Sequence, residues 1–379
     1  MVQIIVHISD VFAPRIGGIE RQLDSLARAQ VSAGGDVHVI TSTPSAAADT
    51  APYRVHRVAK SRSVVRETLI RLRPHVVHVH LSVYSPFAIA SVKTALYLGI
   101  PTVITVHSMW DAPVRAVYRG VAGIGGWRDR VVVTAVSAVV AGQLSRALPG
   151  IGNTVLANGI TASAACRVAR ADAAVHIVSV GRIVSRRQPL LLLNVLRRTH
   201  SRLFGQVPVR ATVVGDGPLL PMVRSYVRAH AMDEWVELAG TRSEAGVREV
   251  LATADVYLNV AAREAFGLAT LEARAAGVPI VARTGTGVAD FIDHGRSGLL
   301  AASRTELVDA LAELCTDAPL RDRFAAHNRS AGLADYSWPV LLERLQRCYN
   351  LAEHRCAAPE SQVYRLDGPF DAIPDGEIA

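Results

Sequence analysis

The stretch Val256-Tyr-Leu-Asn-Val260, followed by Ala-Ala-Arg and then Glu264-Ala-Phe266-Gly267-Leu268-Ala-Thr-Leu-Glu272, reads as an apolar strand, a short turn and a helix opening near Gly267. A strand-to-helix turn at the carboxyl edge of a parallel sheet is where open α/β folds bind ligands. The amino end of a helix offers N–H groups and a partial positive charge, which suits phosphate. Gly267 lets a ligand come close to the backbone. Two carboxylates bracket this point. Glu264 precedes the helix, and Glu272 lies about a turn inside it, roughly 6 Å further along the axis. A nucleotide sugar has its diphosphate in the middle, a sugar at one end and a ribose at the other. Carboxylates accept hydrogen bonds from vicinal hydroxyls, so one glutamate for each end is a coherent arrangement. The plainer reading is a solvated helix residue and a loop charge.

Working outward, short apolar strands alternate with helical stretches, the βαβ signature of a parallel sheet. The first half has strands at Gln3–Ile8, Val37–Thr41, Val76–His80, Thr102–Val106, Val131–Val136 and Thr154–Leu156, with helices at Ile19–Ala33, Pro86–Leu98 and Ala138–Ala147. The pattern restarts with strands at His176–Val180, Arg210–Val214, Val236–Leu238, Val256–Val260 and Pro279–Ala282. The expected fold is α/β, with two doubly wound halves at 1–165 and 174–336. Thr161–Ala174, rich in Ala, is the candidate linker. Ser337–Arg355 is a final amphipathic helix with Leu341, Leu342, Leu345 and Tyr349 on one face. Residues 357–379 have a tail's composition, expected to be disordered.

Length and composition agree. The 379 residues suggest two domains, and with 50% hydrophobic residues a large core can form. No segment reaches the roughly 18 apolar residues of a membrane span. Met1–Ile8 has no basic flank before it and reads as a strand rather than a signal peptide. Cys166, Cys315, Cys348 and Cys356 show no zinc or C-x-x-C spacing, which fits reduced thiols in a cytoplasmic protein. The formal net charge is +8, nearly all from arginine, since Lys60 and Lys93 are the only lysines. That balance favours anionic partners. No basic, aromatic-interleaved nucleic-acid motif is present, so no nucleic acid is expected. Without G-x-G-x-x-G after a strand, G-x-x-x-x-G-K-[ST] or G-x-S-x-G, the dinucleotide oxidoreductases, P-loop NTPases and elbow hydrolases are unsupported.

Other strand ends carry polar chemistry. Gly181-Arg182-Ile-Val-Ser-Arg186-Arg187 places three cations at one strand tip, a phosphate-pairing pattern if it is not merely a solvated loop. Gly215-Asp-Gly217 is equally a tight turn or a ligand contact. Gly17-Gly18, at the mouth of the first helix, reads as a flexible phosphate loop, although any such turn can require glycine. His107 ends a strand, usually the place of a polar rim residue, and here a candidate contact to a sugar or phosphate. Asn158-Gly159 reads as a turn. Between Lys60 and Arg73, basic residues interleave with Val64, Val65, Leu69 and Leu72. This is a basic amphipathic helix that either lies weakly on an anionic membrane or packs on its own sheet.

These residues together resemble the retaining GT-B glycosyltransferases of family 4, the glycosyl transferases of group 1. The resemblance runs from Val6 to about Tyr349. Its most specific element is E-x7-E, matched by Glu264 and Glu272, followed by Gly17-Gly18-Ile-Glu20, Thr105-Val-His107, Val136-Ser137, Asn158-Gly159-Ile160, Gly181-Arg182 and Ser337-Trp338. It implies two Rossmann-like domains facing across a cleft, with 337–356 crossing back onto the first, acceptor-side domain and the donor bound mainly by the second. It implies that Glu272 holds the ribose, Glu264 the donor sugar hydroxyls, and Arg182 and Arg187 the diphosphate. His107, Gly17 and Gly18 contribute from the first domain, and Phe266, Gly267 and Leu268 from the second. The implied reaction is retaining hexosyl transfer from a nucleotide diphosphate sugar, GDP-mannose or a UDP-sugar, to a glycan, lipid or small-molecule acceptor. No cofactor and no metal are expected, because protein cations take the metal's place. The implied location is cytoplasmic, at the inner membrane face if the acceptor is a lipid. Two positions depart from the family: Arg187-Gln188 stands where Lys-Gly is usual, and Ser108 follows His107 where Asp is common. A nucleotide-sugar-binding protein, epimerase or phosphorylase of the same architecture is the alternative class.

Overall fold

The structure, a computed structural model, describes residues 2–45, 49–58, 61–161 and 173–357. The described residues form two compact units, one holding 2–159 and 335–357 and the other 160–334. The expected linker falls almost wholly outside the described residues, as does the tail beyond Ala357.

The first unit is built on a parallel sheet of β1 (Ile4–Ser9), β2 (Asp36–Thr41), β3 (Arg54–Arg57), β4 (Val76–Leu81), β5 (Thr102–Val106), β6 (Val132–Ala135) and β7 (Asn153–Val155), in the order β3-β2-β1-β4-β5-β6-β7. Its helices are α1 (Gly18–Ser32), α2 (Arg62–Leu72), α3 (Pro86–Tyr97), α4 (Ala112–Ile124) and α5 (Ala138–Ala147). Strands covered on both faces read as unbroken β-branched runs, and β4, Val-Val-His-Val-His-Leu, is buried at every position. The helices start where caps allow. Ser137 accepts from Val140 N, and Asp111 from Val114 N. Asp10, at the end of β1, accepts from Phe87 and Ala88 N–H at 3.0 and 2.9 Å, holding the start of α3.

The second unit repeats the plan with β8 (Val175–Val180), β9 (Val209–Val214), β10 (Val236–Gly240), β11 (Val256–Asn259), β12 (Ile280–Arg283) and β13 (Gly298–Ala301), ordered β10-β9-β8-β11-β12-β13 and parallel throughout. Its helices are α6 (Pro189–Arg202), α7 (Leu220–Ala229), α8 (Glu244–Ala252), α9 (Leu268–Ala275), α10 (Arg304–Thr316) and α11 (Ala318–Ser330). The last helix, α12 (Trp338–Ala357), returns to the first unit. Its Leu345, Cys348, Tyr349 and Ala352 join a core with Ile5, Leu26, Val76, Val103 and Val132. A Cβ on Gly159 would lie 2.7 Å from the Trp338 ring, so the expected Asn158-Gly159 turn has a packing reason as well.

Several elements escape the sequence pattern, α10 and α11 beyond the last strand read among them. β3 and β13 are four-residue edge strands, too short for a period to register. α4 carries Pro113, Gly120 and Gly123, which blur a helical signature. α2 forms as a helix, but Val65, Thr68 and Leu69 are its buried residues and it packs on α3. Val64 is exposed, contrary to the expected apolar face, because the face that turns toward α3 is that of Val65, Thr68 and Leu69.

Candidate functional site

The site residues of the second unit sit on two adjoining strand ends, those of β8 and β11. After β8 the chain turns through Gly181 and Arg182 into a single 3-10 turn, Ser185–Arg187. This loop lies on the one after β9. Ile183 N donates to Asp216 O at 2.8 Å, and a Cβ on Gly215 or Gly217 would meet Gly181 O at 2.0 Å or Ile183 O at 2.4 Å. Both glycines also hold positive φ, +141° and +158°. Gly215-Asp-Gly217 is therefore a backbone platform that carries the Arg182 loop.

Gln188 occupies the left-handed region at φ 53°, where the family's usual glycine is unstrained. A side chain there costs about 1 kcal/mol. Here the side chain is used: Gln188 Oε1 accepts from Ala262 N at 3.1 Å, tying the two loops together.

Arg187 and Glu264, given separate roles by the resemblance, are each other's ion-pair partners. Glu264 is buried, while Arg187 is half-exposed. Arg182, Arg186 and Arg263 are exposed around them. Partial desolvation of the Arg186 guanidinium, and then the Arg182 and Arg263 charges, pull it below its usual range. Burial, and then Arg186, does the same to Arg187. Four guanidinium groups thus crowd one sheet edge around one buried carboxylate. Arg263 was not anticipated, although its position directly before Glu264 was a readable signal.

Gly267 begins α9 at φ +94° with no side-chain cap. A Cβ there would lie 2.7 Å from Val288. The turn before α9 is braced by Gly287 N donating to Glu264 O at 2.8 Å and by Asn259 Nδ2 donating to Thr270 Oγ1 at 2.9 Å. The amides of Leu268 and Ala269 head the helix beyond its own hydrogen-bond ladder. Glu272 lies one turn further, half-buried, with Oε2 shielded from solvent. Tyr257 lies beneath, its hydroxyl donating to Val180 O at 3.2 Å. Burial pushes Tyr257 up to about 12, with Arg187 opposing and Glu272 reinforcing the shift, so both charges act on one buried phenol. The Phe266 ring is buried against Phe291, centroids 5.4 Å apart.

In the first unit, Gly17 caps α1 in an extended conformation that any residue can adopt. A Cβ there would meet the Glu20 carboxylate at 2.3 Å, and Glu20 pairs with Arg15 at 3.3 Å. The anion beside the Gly17-Gly18 turn is thus the chain's own. His107 directly follows β5 and opens a buried network that the sequence pattern did not reveal. His107 Nε2 lies 2.9 Å from His80 Nδ1, His80 Nε2 3.0 Å from His7 Nδ1, and His7 Nε2 2.6 Å from Gln30 Oε1. The signal was present in His78-Val-His80, which puts two imidazoles on one face of a strand. Asp111, four residues beyond His107, caps α4.

Residues 174–317 match the family described as glycosyl transferases group 1, and residues 16–164 that described as glycosyltransferase family 4. The chain is 26% identical to a phosphatidylinositol N-acetylglucosaminyltransferase subunit of Arabidopsis thaliana, across 92% of this chain and 82% of the relative. It is 25% identical to glycogen synthase of Mycobacterium tuberculosis, across 95% and 96%. Its fold matches a glycosyltransferase structure from Rickettsia africae, with TM-score 0.76 and 15% identity over 93% of this chain and 98% of that one. HepE of Anabaena in complex with UDP-glucose matches with TM-score 0.76 and 15% identity over 92% and 99%. Two parallel sheets with helices around them, and family matches in both halves of the sequence, lead to one assignment: the chain belongs to the GT-B glycosyltransferases of family 4, group 1.

Proposed function

We propose that this glycosyltransferase moves a hexose, with retention, from a nucleotide diphosphate sugar. The diphosphate is held by Arg182, Arg187 and the amino end of α9, the sugar hydroxyls by Glu264 and the ribose by Glu272. The observation that carries this reading is the crowd of four guanidinium groups beside an uncapped helix start, with one buried carboxylate among them. Like charges at one edge repel, and an anion relieves them. Arg187 pairs with Glu264. An arriving diphosphate competes for the guanidinium and frees the carboxylate to accept sugar hydroxyls. As the donor bond breaks, charge builds on the β-phosphate, where preorganised cations and amides are most effective. On this reading the cations do the work a metal would otherwise do, so the reaction is expected to run without one. Retention rests on the family likeness. HepE, with UDP-glucose, makes a uridine donor the first to try. Relatives named for phosphatidylinositol and glycogen make lipid and glycan the acceptor classes to screen.

Calorimetry with UDP, GDP, UDP-glucose and GDP-mannose, with and without EDTA, tests the donor site. One nucleotide series should bind in EDTA, and Glu272→Ala should lose roughly 1–3 kcal/mol of that binding, the cost of unmaking hydrogen bonds to a charged group. Unchanged affinity in Glu272→Ala removes the ribose assignment. Transfer activity abolished by EDTA and rescued by Mg²⁺ or Mn²⁺ removes the metal-free one.

A further inference from the structure

We propose that Gln30, His7 and His80 are positioning residues that hold His107 in a single tautomer, with hydrogen on Nε2 and a lone pair on Nδ1, presenting an acceptor for a substrate hydroxyl. Only that last use of the acceptor rests on the sugar-transfer reading.

The polarity starts at Gln30, which is 4% exposed and lies on α1. Its Nε2 donates to the Tyr349 hydroxyl at 3.0 Å, leaving Oε1 toward His7 at 2.6 Å. An amide oxygen only accepts, so His7 carries its hydrogen on Nε2. Burial holds His7 at about 4, so the ring is neutral and its Nδ1 is a lone pair. His80 Nε2, 3.0 Å away, must therefore donate, and His80 Nδ1 becomes the acceptor. His107 Nε2, 2.9 Å from it, must donate in turn. Burial also keeps His107 neutral, at about 4, and its Nδ1 has no hydrogen bond among the described residues.

The other branch runs consistently. Tyr349 donates to His78 Nδ1 (3.1 Å), His78 Nε2 to Thr105 Oγ1 (2.7 Å), Thr105 to Thr134 Oγ1 (2.6 Å), and Thr134 to the Ile104 carbonyl (3.4 Å). Turning the Gln30 amide over would reverse every bond, forfeit the contact to Ile104, and put the His107 hydrogen on Nδ1. One buried amide thus decides what His107 shows at the end of β5. The three inner rings also crowd together, with ring nitrogens of His7, His78 and His80 within 4.8 Å of one another. All six of their nitrogens are engaged in hydrogen bonds, which a cation would have to break to bind there.

Histidine-selective ¹⁵N labelling of the full chain reads the tautomers directly. His107 is expected to show a protonated Nε2 and an unprotonated Nδ1. In His80→Leu the His107 signals should become those of a tautomer mixture, and kcat/KM should fall about tenfold, as one lost hydrogen bond implies. His80→Gln, whose amide can accept from His107 and donate to His7, should restore the single tautomer and bring kcat/KM to within about threefold of the parent. A proton on Nδ1 of His107 in the parent protein, an unchanged His107 tautomer in His80→Leu, or stoichiometric zinc in the purified protein would each overturn the relay. The expected tautomer together with full activity in His107→Ala would leave the relay standing and overturn the use of His107 in transfer.

Discussion

Arg187 answers to two partners, the buried Glu264 carboxylate and, in the proposed reaction, the departing phosphate. Arg182 is exposed and answers only to the second. The two should separate experimentally. Arg187→Ala leaves a buried carboxylate without its cation, and should cost about 2 kcal/mol of stability, less than the 3–5 kcal/mol of fully buried pairs because Arg187 is half-exposed. Arg182→Ala should leave stability within about 0.5 kcal/mol. Both should slow the chemical step more than they weaken nucleoside monophosphate binding. Urea titration and single-turnover kinetics check this, and equal stability for the two variants would contradict the pairing. At this scale residue types were legible, because Gly, Arg and Glu at strand ends have few other uses. Partnerships were not: Arg187 and Glu264 lie 77 positions apart in the chain, and no local rule links them.

Among the elements, α9 and the β8 loop came close to what their sequence implies, because a left-handed glycine and a strand-end turn are local events. Gly215 and Gly217 did not reveal their purpose, since the surface they approach belongs to another loop. α2 shows the same limit. Its pattern was amphipathic, and the fold decided which face went inward. With Val65 and Leu69 buried, a membrane contact would rest on charge, through Arg62, Arg66, Arg71 and Arg73, with Val64 and Ile70 beside them. If the acceptor is a lipid, the protein should sediment with anionic vesicles at low salt, release as salt rises, and lose binding when Arg66, Arg71 and Arg73 become Ser. Staying in the supernatant at low salt would favour an acceptor free in solution.

Over the whole molecule, the buried imidazoles set the response to acid. Burial holds His7 at about 4, and His78 and His80 well below their ordinary 6.5. Above pH 6.5 the rings are neutral folded and unfolded, and stability is untouched. As pH falls from 6.5 toward 4, the unfolded chain binds protons the folded one refuses, and each such ring costs up to ~1.4 kcal/mol per pH unit. Urea midpoints should therefore drop steeply between pH 6.5 and 5, above the range where most carboxylates titrate. A flat profile there would mean that these rings are solvated. The sequence by itself determined that the chain holds two doubly wound halves, and that the β8 and β11 ends of the second carry the charged chemistry. Parallel strands covered on both faces must be apolar runs, and the turns between them need glycine and caps, so both are written in neighbouring residues. Only the tertiary structure decided that Gln30, His7, His80 and Tyr349 meet, and that Glu264 faces Arg187. Those contacts join residues far apart in the chain, and periodicity records which face a residue takes, not what waits there.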